Sequence, residues 1–252
     1  HCVTRRQRQM CIRDRYWKPY NETAELQANQ THENPRMQFQ LIQSKLLDKN
    51  ELWSTYEKAL NRFGEDQYKS LQPLIIEQDI PTLQSHIKSG LLSYEKLTLF
   101  YLYRIRKLES DPNTTLHAIL ALNPMVIEQA KAKDRQKNTQ HHPIFGMPIL
   151  LKDNINTHDM PTTAGAAFLQ SHVPDNDAYI VSQLQAKGAL ILGKVNLSEW
   201  AYYFCDGCPL GYSAVGGQTL NPYGRKVFES GGSSLSLIQI SETTRPSQIW
   251  YS

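Results

Sequence analysis

Apolar residues recur with a helical period across residues 75–110, which gives the clearest structural signal in the chain. Residues 80–87 predict a short helix in which Asp79 is the N-cap and Pro81 lies in the first turn. Ser93 is the expected N-cap of a longer helix. The apolar stripe of that helix consists of Leu97, Tyr101, Ile105 and Leu108. Weaker helical periodicity over residues 38–47 and 52–63 predicts a helical extension spanning 17–70.

Strand patterns begin further along the chain. Residues 117–123 predict a strand and residues 124–137 a helix, and short apolar runs at 147–151 and 189–192 predict buried strands. A helix capped by Asp175 or Asn176 and ended by Gly188 separates the last two strands. Strand, helix and strand in this order predict a parallel pair within a sheet that is covered on both faces. The expected fold class is therefore α/β.

Both ends of the chain differ from its interior. Residues 1–16 carry five arginines and one aspartate, and they show no helical or strand period. Residues 235–252 interrupt a glycine-serine loop. Both resemble translated sequencing adapters, so we interpret 1–16 as a foreign or disordered arm and 235–252 as a foreign tail. The alternatives are a natural basic arm and an ordinary C-terminal strand.

Charge and composition exclude several function classes. The net charge is +3, and because residues 1–16 contribute +4 and 235–252 contribute zero, the interior carries −1. Such an interior gives no electrostatic footprint for nucleic acid or anionic lipid. No run of eighteen apolar residues predicts a membrane span. Cys205 and Cys208 are interpreted as ordinary loop cysteines, because no flanking histidine completes a metal site, and we expect neither a metal nor a cofactor.

Two segments carry chemistry. Lys152 follows a buried apolar run, which places its amine at the carboxyl edge of a sheet, where burial lowers a lysine pKa and a neutral amine can act as a general base. The alternative is a lysine that pairs with Asp153 and has no further role. The run Glu229–Ser234 offers hydroxyl groups from a glycine-rich loop.

Together these segments resemble the amidase signature family. The resemblance rests on GMPILLKDNI (146–155), MPTTAGA (160–166), the run 177–201, GGQTLNPYG (216–224) and ESGGSS (229–234). It implies an open, twisted mixed sheet with helices on both faces, and it makes 71–234 the N-terminal part of an amidase domain. It also implies a serine–serine–lysine triad in which Lys152 is the base and Ser233 the bridging serine. The substrate-binding positions it implies are Ala201, Gly231, Gly232 and Ser234.

The implied reaction is hydrolysis of a small-molecule amide through an acyl-enzyme. After Ser234 the sequence departs from the family pattern, so no residue receives the role of nucleophile, and we expect the chain as written to be inactive. Two alternatives stay open: the amidase subunit of the tRNA-dependent amidotransferase, and a non-catalytic binding protein on the same scaffold. Thr162, Thr163 and Gly165 are expected to shape the turn behind Lys152, and Gln218, Asn221 and Tyr223 to fix the loop before Gly231. The sequence leaves oligomeric state and compartment open, with the cytoplasm slightly favoured.

Overall fold

The computed structural model describes residues 16–137, 139–204 and 207–230. Its α-helices are α1 (Thr23–Asn29), α2 (Lys49–Ser54), α3 (Glu57–Ile75), α4 (Ile80–Lys88), α5 (Tyr94–Ser110), α6 (Val126–Asp134) and α7 (Tyr179–Ala186). The strands are β1 (Ile119–Leu122), β2 (Pro148–Lys152), β3 (Leu190–Val195), β4 (Tyr212–Ser213) and β5 (Gly217–Gln218). Short 3₁₀ helices cover Pro35–Met37, Ala167–Leu169 and Glu199–Tyr202. None of the helices in these ranges is both long enough and apolar enough to cross a membrane.

The main sheet is mixed and has the order β1-β3-β2. Strands β2 and β3 are parallel, as their connection through α7 predicts, and β1 is antiparallel to β3. In this register Leu151 lies opposite Lys194 and Lys152 lies opposite Val195. The predicted α/β class and the mixed sheet are confirmed for the described part of the chain.

Helices cover both faces of this sheet. One face, with Leu150, Leu192 and Val195, packs in a large apolar cluster with α3, α4, α5 and α6. The opposite face, with Leu151 and Ile191, packs against Val181 of α7. The alternation follows from the two-residue period of a strand, which sends successive side chains to opposite faces. Because helices cover both faces of the sheet, successive residues of β2 and β3 are apolar without alternation.

Gly193 marks an irregularity in the central strand. It lies opposite both Leu122 of β1 and Leu150 of β2, and the register with β2 shifts at this point. A Cβ atom on Gly193 would lie 2.2 Å from the carbonyl oxygen of Ala121. Glycine is therefore required for the close approach of β1 to β3, and the shift sets which residues of β3 lie beside Lys152.

Helix boundaries were predicted with mixed success. Asp79 and Ser93 cap α4 and α5 through bonds to the backbone of Thr82 and Lys96, as expected. The cap proposed at Asp175 or Asn176 is wrong, because α7 begins at Tyr179 after Ala178 and has no side-chain cap. Gly188 ends this helix region with φ +86°, which confirms its left-handed role.

The helix predicted over residues 38–47 is also wrong. This segment is extended, and Gln43 forms an isolated antiparallel bridge with Gly217. Its apolar residues instead form a small cluster in which Ile42 packs with Met37, Phe39 and Leu220. Helix α3 runs through residue 70 and has non-helical geometry at Gly64. The proposed division of the chain between residues 70 and 71 stays a prediction.

A buried ion pair fastens the N-terminal segment to α5. The Lys49 amine lies 2.5 Å from the Glu109 carboxylate, and each side chain is only 4 % exposed. Lys49 also donates to Thr115, while Glu109 accepts from the backbone N–H of Ala118. Burial alone would raise the pKa of Glu109, but the Lys49 ammonium, the His117 ring and the hydrogen bonds from Lys49 and Ala118 together lower it to about 2. The stability this provides is present above pH 4.5 and is lost as pH falls through about 2.

We expect Lys49→Met to lower the free energy of unfolding by about 3–5 kcal/mol, because it leaves a buried carboxylate without its partner. Lys107→Met is the matched control, since Lys107 pairs with Glu65 at the surface, and it should cost less than about 1 kcal/mol. Adding Glu109→Gln to Lys49→Met should recover part of the loss. Urea unfolding of the variants measures each value, and equal costs at the two lysines would contradict the role given to this pair.

Candidate active site

Lys152 is the last residue of β2, at the carboxyl edge of the parallel pair. Its carbonyl oxygen accepts from the N–H of Ile155 at 2.9 Å, which closes a tight turn directly after the strand. The side chain is half-buried, and burial lowers the pKa of the Lys152 amine below its ordinary 10.5. Within the described residues the amine has no ion pair and no hydrogen bond.

Asp153 does not pair with Lys152. Its carboxylate accepts from the backbone N–H and the hydroxyl of Thr163, and it lies 3.9 Å from the amine of Lys194. Gly165, at φ +80°, donates its N–H to the Thr163 hydroxyl. Thr163 and Gly165 thus shape the turn behind Lys152, as predicted. The alternative in which Asp153 neutralises Lys152 is wrong, because the carboxylate is engaged on the other side of the chain.

Lys194 lies beside the same turn, and its position there was not predicted from the sequence. Its amine donates to the carbonyl oxygens of Ile155 and Pro161, at 2.7 and 3.3 Å, and to the hydroxyl of Thr162 at 2.8 Å. Its side chain is fully buried. The sequence feature that could have predicted its role is the position of this lysine inside the apolar run 189–195, because a buried charge is tolerated only when it is paired.

Two lysines with lowered pKa values therefore lie near the end of β2. Their different hydrogen-bond partners distinguish their roles. Burial lowers the pKa of Lys194 to about 8, although Asp153 opposes this shift. Lys194 nevertheless uses three acceptors, which matches the three protons of an ammonium group. Lys152 has a free amine among the described residues and can accept a proton. Lys194 is thus a structural cation, and Lys152 is the candidate base.

A cavity of about 300 Å³ opens beside this turn. Its lining includes Asn154 and Asn156 from the turn, Thr162, and the neighbouring pair Trp200 and Ala201. Ala201 is exposed, and its assignment to a substrate pocket stays a prediction. Trp200 is half-buried and stacks on Phe168 with ring centroids 6.0 Å apart.

The loop that leads to Gly231 is held by two side-chain amides. Gln218 donates to the carbonyl oxygen of Leu210, which also accepts from the Ser230 hydroxyl, and Asn221 donates to the carbonyl oxygen of Glu229. The roles predicted for Gln218 and Asn221 are confirmed. Tyr223 contributes only its backbone N–H, which donates to Asn221, and its side chain is exposed. The predicted site residues Gly231, Gly232, Ser233 and Ser234 lie outside the described residues.

The N-terminal segment reaches the same loop. Asn34 donates to one carboxylate oxygen of Glu229 at 3.1 Å, and Arg36 lies 3.5 Å from the other. Ile42 accepts from the backbone N–H of Gln218. Residues 34–43 therefore brace the stretch that immediately precedes the glycine-serine loop.

Cysteine and histidine residues form no metal site in the described ranges. Cys208, interpreted from the sequence as an ordinary loop cysteine, is disulfide-bonded. The Tyr202 hydroxyl donates to the carbonyl oxygen of Cys208 at 2.9 Å. This hydrogen bond joins the two ends of the segment that follows Trp200 and Ala201.

The chain is similar to proteins of one family. Residues 96–234 match the family model described as Amidase. A probable amidase of Arabidopsis thaliana is 41 % identical over 171 residues, which are 66 % of this chain and 33 % of that protein. A glutamyl-tRNA(Gln) amidotransferase subunit of Exiguobacterium sibiricum is 35 % identical over 127 residues, 50 % of this chain and 26 % of that one. The chain thus spans about a third or less of these relatives.

Solved structures give the same result. An amidase family protein from Bacillus anthracis superposes with a TM-score of 0.72 and 34 % identity, covering 79 % of this chain and 40 % of that one. The native peptide amidase of Stenotrophomonas maltophilia superposes with a TM-score of 0.56 and 42 % identity, covering 59 % of this chain and 31 % of that one. Both similarities place the described sheet within the fold of these proteins.

One charge pair near the site gives a pH-dependent prediction. The Asp177 carboxylate lies 3.0 Å from the His158 ring and raises the pKa of His158 above 6.5. Because the folded-state pKa is the higher one, the pair stabilises the fold fully below pH 6.5 and loses this effect as pH rises through the folded-state pKa. We expect Asp177→Asn to bring the His158 pKa down, as measured by NMR titration. Asp175→Asn is the control, and an equal shift in that variant would contradict the assignment.

Proposed function

The chain belongs to the amidase family, and on that premise we propose that Lys152 is the general base of an enzyme that hydrolyses carboxylic amides. The observation that supports the proposal is the difference in hydrogen bonding between the two lysines near the end of β2. Lys194 is saturated by oxygen acceptors, whereas the Lys152 amine has no partner among the described residues. Burial favours the neutral form of Lys152, which is the form that accepts a proton.

The proposed reaction passes protons through Ser233. The Lys152 amine takes the proton of the Ser233 hydroxyl, and Ser233 takes a proton from a nucleophilic hydroxyl that we assign to no residue of this chain. That oxygen attacks the amide carbonyl carbon, the carbon–nitrogen bond breaks, and the returning proton goes to the leaving amine. Water then attacks the acyl ester and regenerates the hydroxyl. Gly231 and Gly232 leave the backbone N–H groups beside Ser233 free to approach an oxyanion closely.

The cavity beside the turn supports a small-molecule amide as substrate. Its lining combines the side-chain amides of Asn154 and Asn156 with the indole of Trp200. Carboxamide side chains can both donate to and accept from an amide group, and the indole supplies an apolar wall. We assign Ala201 to the wall of this pocket, and Gly231, Gly232 and Ser234 to the part of it nearest the bond that is cleaved.

A second candidate is the glutamine-hydrolysing subunit of a tRNA-dependent amidotransferase. The match to the Exiguobacterium protein supports it. The match to the Arabidopsis protein, a probable amidase, is longer and of higher identity, and it favours an amidase. The non-catalytic binding protein is disfavoured because a half-buried lysine without a partner among the described residues adds no stability to a binding scaffold.

A chimera tests the proposal. Residues 96–234 replace the corresponding segment of the Stenotrophomonas peptide amidase, which supplies the remainder of the fold. We expect the chimera to release ammonia from a simple carboxamide. Lys152→Met in this background should lower kcat/KM by about 10²–10⁴-fold, the usual contribution of a general base. Ser233→Ala should do the same.

Lys187→Met is the matched control, because Lys187 is exposed at the end of α7 and should leave kcat/KM unchanged. Circular dichroism of each variant separates loss of chemistry from loss of fold. Full activity of folded Lys152→Met would refute the proposed role of Lys152. Faster hydrolysis of free glutamine than of simple carboxamides would favour the amidotransferase assignment.

A further inference from the structure

The turn between β2 and the 3₁₀ helix Ala167–Leu169 encloses a buried oxygen cage. Its oxygens come from Ile155, Pro161 and Thr162, which lie 2.7–3.3 Å from the amine of Lys194. The Asp153 carboxylate lies 3.9 Å from the same amine and is only 1 % exposed. Asp159 and Asp177 also attract this charge. The cage has the oxygen chemistry of a monovalent-cation site, and a side-chain ammonium group fills it.

We propose that Lys194 is a positioning residue for the base, acting through this cage to hold the turn that begins at Lys152. The inference rests on the function proposed above, because it assigns Lys194 a purpose in a reaction that Lys152 performs. Lys194 itself touches neither the base nor a substrate-facing group other than Thr162. Its contribution is to the geometry and dryness of the chain segment from Asp153 to Thr162.

The path from Lys194 to Lys152 is short. The backbone of Lys194 lies opposite Leu151, the residue before the base, and Val195 lies opposite Lys152 itself. The Ile155 N–H donates to the Lys152 carbonyl oxygen, and the Ile155 carbonyl oxygen accepts from the Lys194 amine. One residue thus connects the two lysines, so movement of the cage is transmitted directly to the end of β2.

The two lysine side chains leave the sheet on opposite faces. Lys194 is paired with Leu151, whose side chain belongs to the face covered by α7, whereas Lys152 is paired with Val195, which faces the α3–α6 layer. The cage can therefore hold the turn from behind without occupying the space into which the base must reach. A hydrophobic residue of similar length at 194 would fill the volume, but the three oxygens would lose the donor that Lys194 provides and the Asp153 carboxylate would lose its counter-charge.

The experiment measures the Lys152 amine in the 252-residue chain without requiring activity. The rate of acetylation of Lys152 is followed against pH by peptide mass spectrometry, which gives its pKa. We expect a value below 10.5 in the unaltered chain and a rise toward 10.5 in Lys194→Met, because the loosened turn admits water. Amide exchange over residues 153–163 should accelerate by about tenfold or more in the same variant, since buried acceptors lose their donor. Lys187→Met should change neither measurement.

Thr162→Val is a milder variant for the case in which Lys194→Met does not fold. It removes one oxygen of the cage and keeps the side-chain shape, and it should shift both measurements in the same direction by a smaller amount. Lys194→Ala, refolded with n-propylammonium chloride, should regain protection of residues 153–163 relative to the sodium salt, because the alkylammonium ion replaces the missing side chain.

The outcomes separate this inference from the proposed function. A lowered Lys152 pKa that stays unchanged in folded Lys194→Met and Thr162→Val would overturn the positioning role alone and leave the base assignment standing. An ordinary Lys152 pKa in the unaltered chain would overturn both. Failure of n-propylammonium to restore protection, with sodium and alkylammonium equivalent, would show that the cage does not act as a cation site and would also overturn the positioning role.

Discussion

The site depends on one buried charge, the ammonium group of Lys194 in its cage of oxygens. A fully buried cation is tolerated only when its N–H groups have acceptors and its charge has a counter-charge. Here the turn from Asp153 to Thr162 supplies both the acceptors and the counter-charge. The same turn begins at Lys152 and lines the cavity beside it. Removing the cation would therefore disturb the base and the pocket together, which ties stability and chemistry to a single interaction.

Much of the fold follows from the sequence because its signals are local. The caps at Asp79 and Ser93, the left-handed Gly188 and the parallel pair β2–β3 each depend on residues close in the chain. The segment 38–47 was misread for the opposite reason. Its apolar residues satisfy a weak helical period, but they bury themselves against Leu220, and its backbone pairs with Gly217 and Gln218, contacts that no local pattern reveals.

Part of the candidate site could also be predicted from local features of the sequence. Lys152 stands out because a charged residue ends an apolar strand, and the family resemblance supplies its role. Asp153 was assigned ambiguously, since sequence adjacency brings it near Lys152 while strand alternation sends the two side chains to opposite faces. Lys194 was missed because its partners, Ile155, Pro161 and Thr162, lie more than thirty residues earlier, and two of them contribute only backbone oxygens that a sequence does not display.

The N-terminal part of the chain contacts the part that carries the candidate site at several points. Lys49 forms a buried pair with Glu109, Gln43 bridges Gly217, and Asn34 and Arg36 hold Glu229. A buried ion pair is costly to break from one side, so the N-terminal segment and α5 are energetically one unit. Since Glu229 lies two residues before Gly231, the bracing by residues 34–43 acts on the loop to which the bridging serine is assigned. The early residues therefore belong to the same packed unit as α5 and the stretch that ends at Ser230, because their contacts reach both.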